Sequence, residues 1–311
     1  MSSVTSTFAV PWNAIVTCAR DYAELTKMRV TGLIMMTAGC GYYFGCLKSG
    51  IPFLSIGLLH ALLGVGLAAG GTAALNEVME HDTDGRMRRT ARRPVPSGRM
   101  SVWHAALLGA LMTVGGAVYL GLAQNPLTGW LSLATAAVYL AVYTPLKKVH
   151  PICTFVGAFP GAMPGVLGWT AARGDMEWGA LVMFAIVFFW QFPHFFSIAW
   201  LYREDYEAGR IRMLPVVEPD GRSTSVRILL YSLALIPVST APTLLGMAGW
   251  IYFFGALFLG VALLCIAVRL AALELPLQST LSKQRARQLL QATVFYLPIL
   301  FALMMLDTAS S

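Results

Sequence analysis

The sequence predicts an all-α integral membrane protein, a bundle of about nine transmembrane helices with a cytoplasmic N-terminus and an outside C-terminus. Three observations predict it. The 311 residues are 57% hydrophobic and only 12% charged, with a mean hydropathy of +0.66, and a soluble domain carries roughly twice that charged fraction. Apolar runs of about 18 residues or more recur, longer than a helix buried in a soluble core needs. The basic residues, finally, gather in alternate connections between those runs.

The apolar runs cover 28–47, 51–76, 102–123, 127–146, 152–172, 178–200, 228–247, 249–272 and 288–306. Each can cross a hydrocarbon core of ~30 Å as a helix. Lipid leaves helices or closed barrels, and unbroken apolar runs lack the alternation of a barrel strand. With the N-terminus inside, 20 of the 22 Lys and Arg fall on the inner side, and only Lys48 and Arg173 lie outside. That is the positive-inside asymmetry, and it supports span count and topology together. The expected organisation is a cytoplasmic segment 1–27, one transmembrane domain 28–306 of two weakly related halves, and a tail 307–311. The five cysteines show no CxxC spacing and read as small buried hydrophobes. The N-terminus shows neither a secretory signal nor an Arg-rich transit pattern, so a bacterial inner membrane is the expected location. Nothing suggests a nucleic-acid partner; the lipid bilayer is the surrounding phase.

Two inner connections are long and mix acids with bases, near 77–101 and 201–227. In the first, Asn76, Glu80 and Asp84 stand at i, i+4 and i+8, one stripe if the second span continues as a helix. An amide and two carboxylates at a membrane helix end cost free energy unless a cation shares them. Mg²⁺ suits them, being a hard ion that joins one or two carboxylates to substrate phosphates. Arg89 and Arg93 repeat at i+4 just beyond, and guanidinium groups grip phosphate oxygens in pairs. The second connection carries adjacent Glu204 and Asp205, with Arg203 and Arg210 beside them, so the two loops read as halves of one metal–diphosphate site. Lys147 and Lys148 follow the fourth span, and either suits the same anion or the topology signal. Gln191 and His194 lie within the sixth span around Pro193, where polar side chains are functional candidates or interhelical hydrogen bonds. His60 and His104 read as structural. Gly157, Gly161, Gly165 and Gly168 recur through the fifth span, which suits close helix packing.

The stretch from Asn76 to Pro94, with Tyr143–Lys148, Gly157–Trp169 and Trp190–Val217, resembles the UbiA superfamily of membrane prenyltransferases. The block from Pro193 through Asp205 and Tyr206 to Val216 is similar to the haem O synthase branch. The resemblance covers nearly the whole chain. It implies that Asn76, Glu80 and Asp84 hold Mg²⁺ on farnesyl diphosphate and that Arg89 and Arg93 bind the diphosphate. Lys147, Lys148 and Arg203 would assist, and Asp205 with Glu204 would take the second acidic position. That second motif has fewer aspartates than is usual in the superfamily, and Met28 stands where the branch has Pro. By the same resemblance haem B is the acceptor, His194 and Gln191 are haem-contacting candidates, aromatics among Phe188–Phe196 shield an allylic cation, and a haem A synthase is the partner allowed. Two rivals stay open. One is the same chemistry on another aromatic or tetrapyrrole acceptor. The other is a haem-binding or transport protein without chemistry, although a transporter gathers its charges near the midplane rather than at helix ends.

Overall fold

The computed structural model describes residues 12–218, 220–272 and 277–308, with side chains from residue 16 onward. The start of the N-terminal segment and the last three residues of the tail lie outside the described residues. Among the described residues all regular structure is helical. A short α1 (Trp12–Leu25) precedes nine long helices: α2 (Met28–Ser49), α3 (Ile56–Asp84), α4 (Val102–Ala123), α5 (Pro126–Leu146), α6 (Cys153–Arg173), α7 (Trp178–Leu201), α10 (Arg222–Leu244), α11 (Trp250–Ala271) and α12 (Thr280–Asp307). Two short pieces, α8 (Arg203–Ala208) and α9 (Leu214–Val217), stand between α7 and α10.

Eight of the nine long helices are long and apolar enough by themselves to cross a bilayer. The exception is α6, whose 21 residues include four glycines and two prolines. It packs against α2, α7 and α5, and most of its side chains are buried. A helix sheathed by other helices needs no lipid-facing apolar surface, so small residues replace bulky ones there. The contact is close enough that a Cβ on Gly168 would run into the carbonyl of Ala38 on α2.

Several helices outrun their apolar stretches. The second span reaches Asp84, α10 begins at Arg222 and α12 at Thr280. The apolar boundary marks the lipid, whereas helical hydrogen bonds continue past it until a cap intervenes. Ser279 caps α12 by accepting from Ser282 N–H, and Gly85 ends α3. In the second half, α7, α10, α11 and α12 pack around a core that includes Ile186, Leu235, Tyr252 and Leu300. In the first, α3 packs against both α2 and α4, and α5 packs against α4 and α6. Side-chain contacts join the C-terminal end of α3 to the start of α2 and the end of α5, Arg88 just beyond α3 to α8, and α8 in turn to the start of α12. The charged connections therefore share one end of the bundle.

Candidate active site

The site is built on the last two turns of α3. Asn76, Glu80 and Asp84 stack along one face, as their spacing predicts, and all three are buried. Asn76 Nδ2 donates to Glu80 Oε2 at 2.9 Å and to Thr144 Oγ1 at 3.1 Å. Three cations compensate the stripe. Lys147 Nζ donates to Glu80 Oε2 at 2.9 Å, Lys27 Nζ to Asn76 Oδ1 at 2.9 Å, and Arg93 Nη1 to Asp84 Oδ2 at 2.6 Å. The other oxygen of Glu80 is buried and has no hydrogen-bond partner. A carboxylate oxygen rarely tolerates that without a further ligand.

Local backbone features place the cations. Lys27 sits between α1 and α2 in the left-handed region, at φ 48°, which costs a non-glycine residue about 1 kcal/mol. Burial, reinforced by the charges of Arg93 and Lys147, pushes its amine down to about 8. Lys147 follows a π-helical turn, Val138–Tyr143, in α5, a distortion common at functional sites. Its ammonium stands 4.6 Å from the centre of the Tyr143 ring. Burial opposes its charge, but Tyr143, Tyr139 and Glu80 more than offset this and hold the amine above the ordinary lysine range. Lys148, by contrast, points out to the surface.

Arg89 and Arg93 do not continue one stripe. The helix ends at Gly85, and 85–101 folds back as successive turns, fastened by Thr90 Oγ1 donating to the Asp84 carbonyl and by Val95 N–H donating to Glu77. Arg93 is thereby turned onto Asp84. Arg89 crosses to the second loop, where Nη2 donates to Tyr206 Oη at 3.2 Å and the guanidinium lies 4.9 Å from the Tyr202 ring centre. Arg88 reaches Asp205 at 3.8 Å and Glu204 at 3.9 Å. Lys283 on α12 also donates to Glu204, at 2.9 Å, and holds its carboxyl below the ordinary range. Glu204 is exposed and Asp205 is more enclosed. Arg203 Nε is buried without a partner. Among the described residues no three His, Cys, Asp or Glu side chains converge as a metal cage. The chain offers Asn76, Glu80 and Asp84 on one side and Asp205 on the other.

Gln191 and His194 lie apart from this cluster. Gln191 donates to the carbonyls of Ala158 and Val187 and fills the space left by Gly161. His194 Nδ1 is 2.9 Å from Thr293 Oγ1, and its ring stacks on Trp190. Both are interhelical contacts. His60 meets Tyr119 and His104 meets Tyr22, as structural histidines do. Lys27, Thr144 and Tyr143 are the site neighbours that the sequence did not single out. Lys27 had shown only as a topology charge, and a left-handed turn that aims it inward leaves no mark on residue type.

The UbiA prenyltransferase family pattern matches residues 34–285. The chain belongs to this family. A family relative from Koribacter versatilis, called protoheme IX farnesyltransferase, is 58% identical over 99% of this chain and 99% of its own. Among solved structures, one of digeranylgeranylglyceryl phosphate synthase superposes with a TM-score of 0.75 at 14% identity, covering 94% of this chain and 99% of that one. A UbiA homologue from Archaeoglobus fulgidus, solved with geranyl diphosphate and Mg²⁺, superposes with a TM-score of 0.62 at 16% identity over 91% and 99% of the two chains. These two likenesses establish a shared fold, the UbiA helical bundle.

Proposed function

We propose that this chain transfers the farnesyl group of farnesyl diphosphate to a vinyl group of haem B, with addition of water, giving haem O and diphosphate. It is a multi-pass membrane prenyltransferase. The near-full-length relative of the same chemistry supports the donor and acceptor. The observation that carries the site is the unpartnered oxygen of Glu80, buried between Asn76 and Asp84 and ringed by Lys27, Lys147 and Arg93. We place the charged end on the cytoplasmic side of a bacterial inner membrane, because 20 of 22 basic residues then face inward.

The donor set fits Mg²⁺: an amide and two carboxylates, all oxygen ligands on one stripe, with phosphate oxygens left to complete the shell. Asn76, Glu80 and Asp84 would hold it, Asp205 with Glu204 would supply the second acidic position, and bound Mg²⁺ would supply neutralisation of the leaving group's charge. Arg89, Arg93, Lys147, Lys27 and Arg203 bind and orient the diphosphate, and their charges stabilise it as the C–O bond to farnesyl C1 breaks. The bonding pair leaves with the diphosphate oxygen. The vinyl π electrons then form the new C–C bond to C1. The carbon next to the porphyrin takes up water, which loses one proton to solvent and becomes the hydroxyl group. Water must stay away until the C–C bond exists, and the buried rings of Phe192 and Phe196 with the surrounding bundle exclude it. We assign Gln191 and His194 to bracing α7 against α6 and α12.

The test is haem extraction and mass spectrometry from membranes of a bacterium that lacks its own haem O synthase and expresses this chain. Wild type yields a hydroxyethylfarnesyl haem, and Glu80→Ala, inserted at the same level, yields haem B alone. Haem B alone from inserted wild type would refute the acceptor assignment.

A further inference from the structure

A second concave site opens beside the charged cluster. It is a cavity of about 250 Å³ walled by Ile152 and Phe155 at the start of α6, Phe192 and Phe196 on α7, and Arg227 and Tyr231 on α10. Arg227 is its sole charged lining residue. We propose that this cavity is the acceptor site, with Arg227 holding a carboxylate on the edge of a flat tetrapyrrole and the Phe192–Tyr231 pair forming the wall for its ring. The proposal rests on the haem B reading above.

Two observations of the structure and two points of substrate chemistry support it. Phe192 and Tyr231 stack with ring centres 3.7 Å apart and planes within 12°, so two parallel aromatic rings join α7 to α10 at the cavity. Arg227 is exposed at the mouth and forms no ion pair among the described residues, whereas Arg93, Lys147, Arg88 and Lys283 at the same end each face an acid. An unpaired guanidinium over an aromatic slot selects an anion attached to an apolar plate. The donor's diphosphate has its own cations on the α3 stripe, which leaves Arg227 for the other substrate. Haem B carries both propionates on one edge and its vinyls on the opposite edge, so a propionate edge held by Arg227 leaves the vinyl edge as the one free to meet farnesyl C1 beside the α3 stripe.

The volume agrees with partial enclosure. Pockets that engulf a ligand measure about 300–1,000 Å³, so this one takes an edge of the macrocycle. The rest lies over Ile152 and Phe155, whose exposed side chains form the rim. The cavity also adjoins the diphosphate cluster. Ile152 follows Lys147 by one short connection, and that connection is tied down by Arg212 N–H donating to the Lys147 carbonyl at 2.8 Å. His194 faces away, since residues two apart on a helix lie on opposite sides.

An anionic lipid headgroup offers Arg227 the same chemistry, and the experiment separates the two. Wild type, Arg227→Gln, Arg227→Lys and Tyr231→Ala are reconstituted in nanodiscs with and without phosphatidylglycerol. Each is assayed with haem B and with its dipropionate dimethyl ester, by turnover and by absorbance titration without farnesyl diphosphate. The expected result is about a tenfold rise in KM and Kd for haem B in Arg227→Gln, partial recovery in Arg227→Lys, and an unchanged KM for farnesyl diphosphate. The ester binds wild type about as weakly as haem B binds Arg227→Gln, and the variant no longer distinguishes them. Tyr231→Ala weakens acid and ester equally. Equal affinity of wild type and Arg227→Gln for haem B would overturn the proposal, as would a loss shared by the ester or one that follows phosphatidylglycerol content. If wild type binds haem B by this pattern but never farnesylates it, the cavity assignment stands and the reaction assigned above fails.

Discussion

Lys147 Nζ is 2.9 Å from Glu80 Oε2, with both side chains almost fully buried, and the second oxygen of Glu80 has no partner. One carboxylate therefore serves two purposes: it balances a buried ammonium and presents a free lone-pair edge. Removing either partner of such a pair costs about 3–5 kcal/mol, because the other charge stays behind. Glu80→Gln is expected to lower the melting temperature and to reduce turnover by about 10²–10³. Glu80→Gln combined with Lys147→Met should recover most of the lost stability and none of the activity. Thermal unfolding in detergent and haem O formation, read on the same samples, check this. Recovery of activity in the double variant would show that the pair is structural only.

A second expectation follows from the charge balance at the site. Two carboxylates, Glu80 and Asp84, face three cations, Lys27, Lys147 and Arg93. The stripe is already compensated without a metal, so Mg²⁺ alone has little to gain there. Mg²⁺ without diphosphate should leave the melting temperature unchanged, and Mg²⁺ with inorganic diphosphate should raise it, by the linkage of binding to stability. Chelation should abolish turnover and Mg²⁺ should restore it. A large shift with Mg²⁺ alone would mean that the acids exchange their lysine and arginine partners for the ion unaided.

The parts of this architecture that were legible in the sequence are those that depend on periodicity. Apolar runs located the helices, and the i, i+4, i+8 spacing located Asn76, Glu80 and Asp84 on one face. Basic asymmetry put the loops at one end. What was hidden depends on chain reversal. Arg89 and Arg93 keep helical spacing in the sequence but part company after Gly85, one going to Tyr206 and the other back to Asp84. Lys27 looked like a topology charge until its left-handed turn aimed it at Asn76. The Lys147–Lys148 pair could not be split by residue type, because burial of one and exposure of the other come from the turns that end α5.

That split predicts unequal substitutions. Lys148→Ala should leave turnover within about twofold, since an exposed surface change costs about 0.5 kcal/mol at most. Lys147→Ala should abolish measurable turnover, because it strips the diphosphate of a cation and leaves Glu80 buried with less compensation. Initial rates at saturating farnesyl diphosphate decide between them. Equal losses in both would place the two lysines in one surface role.

Arg89 bridges the two charged loops, and its Tyr206 partner offers a milder change. Tyr206→Phe removes the acceptor 3.2 Å from Nη2 and keeps the ring beneath the guanidinium. A net hydrogen bond to a charged group contributes about 1.5–3 kcal/mol, so Arg89 should lose fixed orientation. The expected outcome is a rise of about tenfold or more in KM for farnesyl diphosphate, with kcat changing far less. A fall in kcat at unchanged KM would move Tyr206 from substrate orientation to the chemical step.

The charged end is mounted on the bundle partly through the close α2–α6 contact. At Gly168 an added methyl group would strike backbone on both counts, the carbonyl of Ala38 and the amide nitrogen of Tyr42. Backbone cannot rotate aside as a side chain can, so α6 and α2 must separate. Over-packing of this kind costs about 1–3 kcal/mol. Gly115 on α4 has nothing within 4 Å of the same added atom, and there alanine should stabilise by about 0.5–1 kcal/mol through helix propensity. Gly168→Ala should therefore lower the melting temperature and reduce turnover together, because α2 begins beside Lys27 and α6 begins beside the cavity that holds Phe155. Gly115→Ala should raise the melting temperature and leave turnover unchanged. If Gly168→Ala proved as harmless as Gly115→Ala, the α2–α6 contact would be looser than the backbone approach requires, and the site would owe its alignment to the loop ion pairs alone.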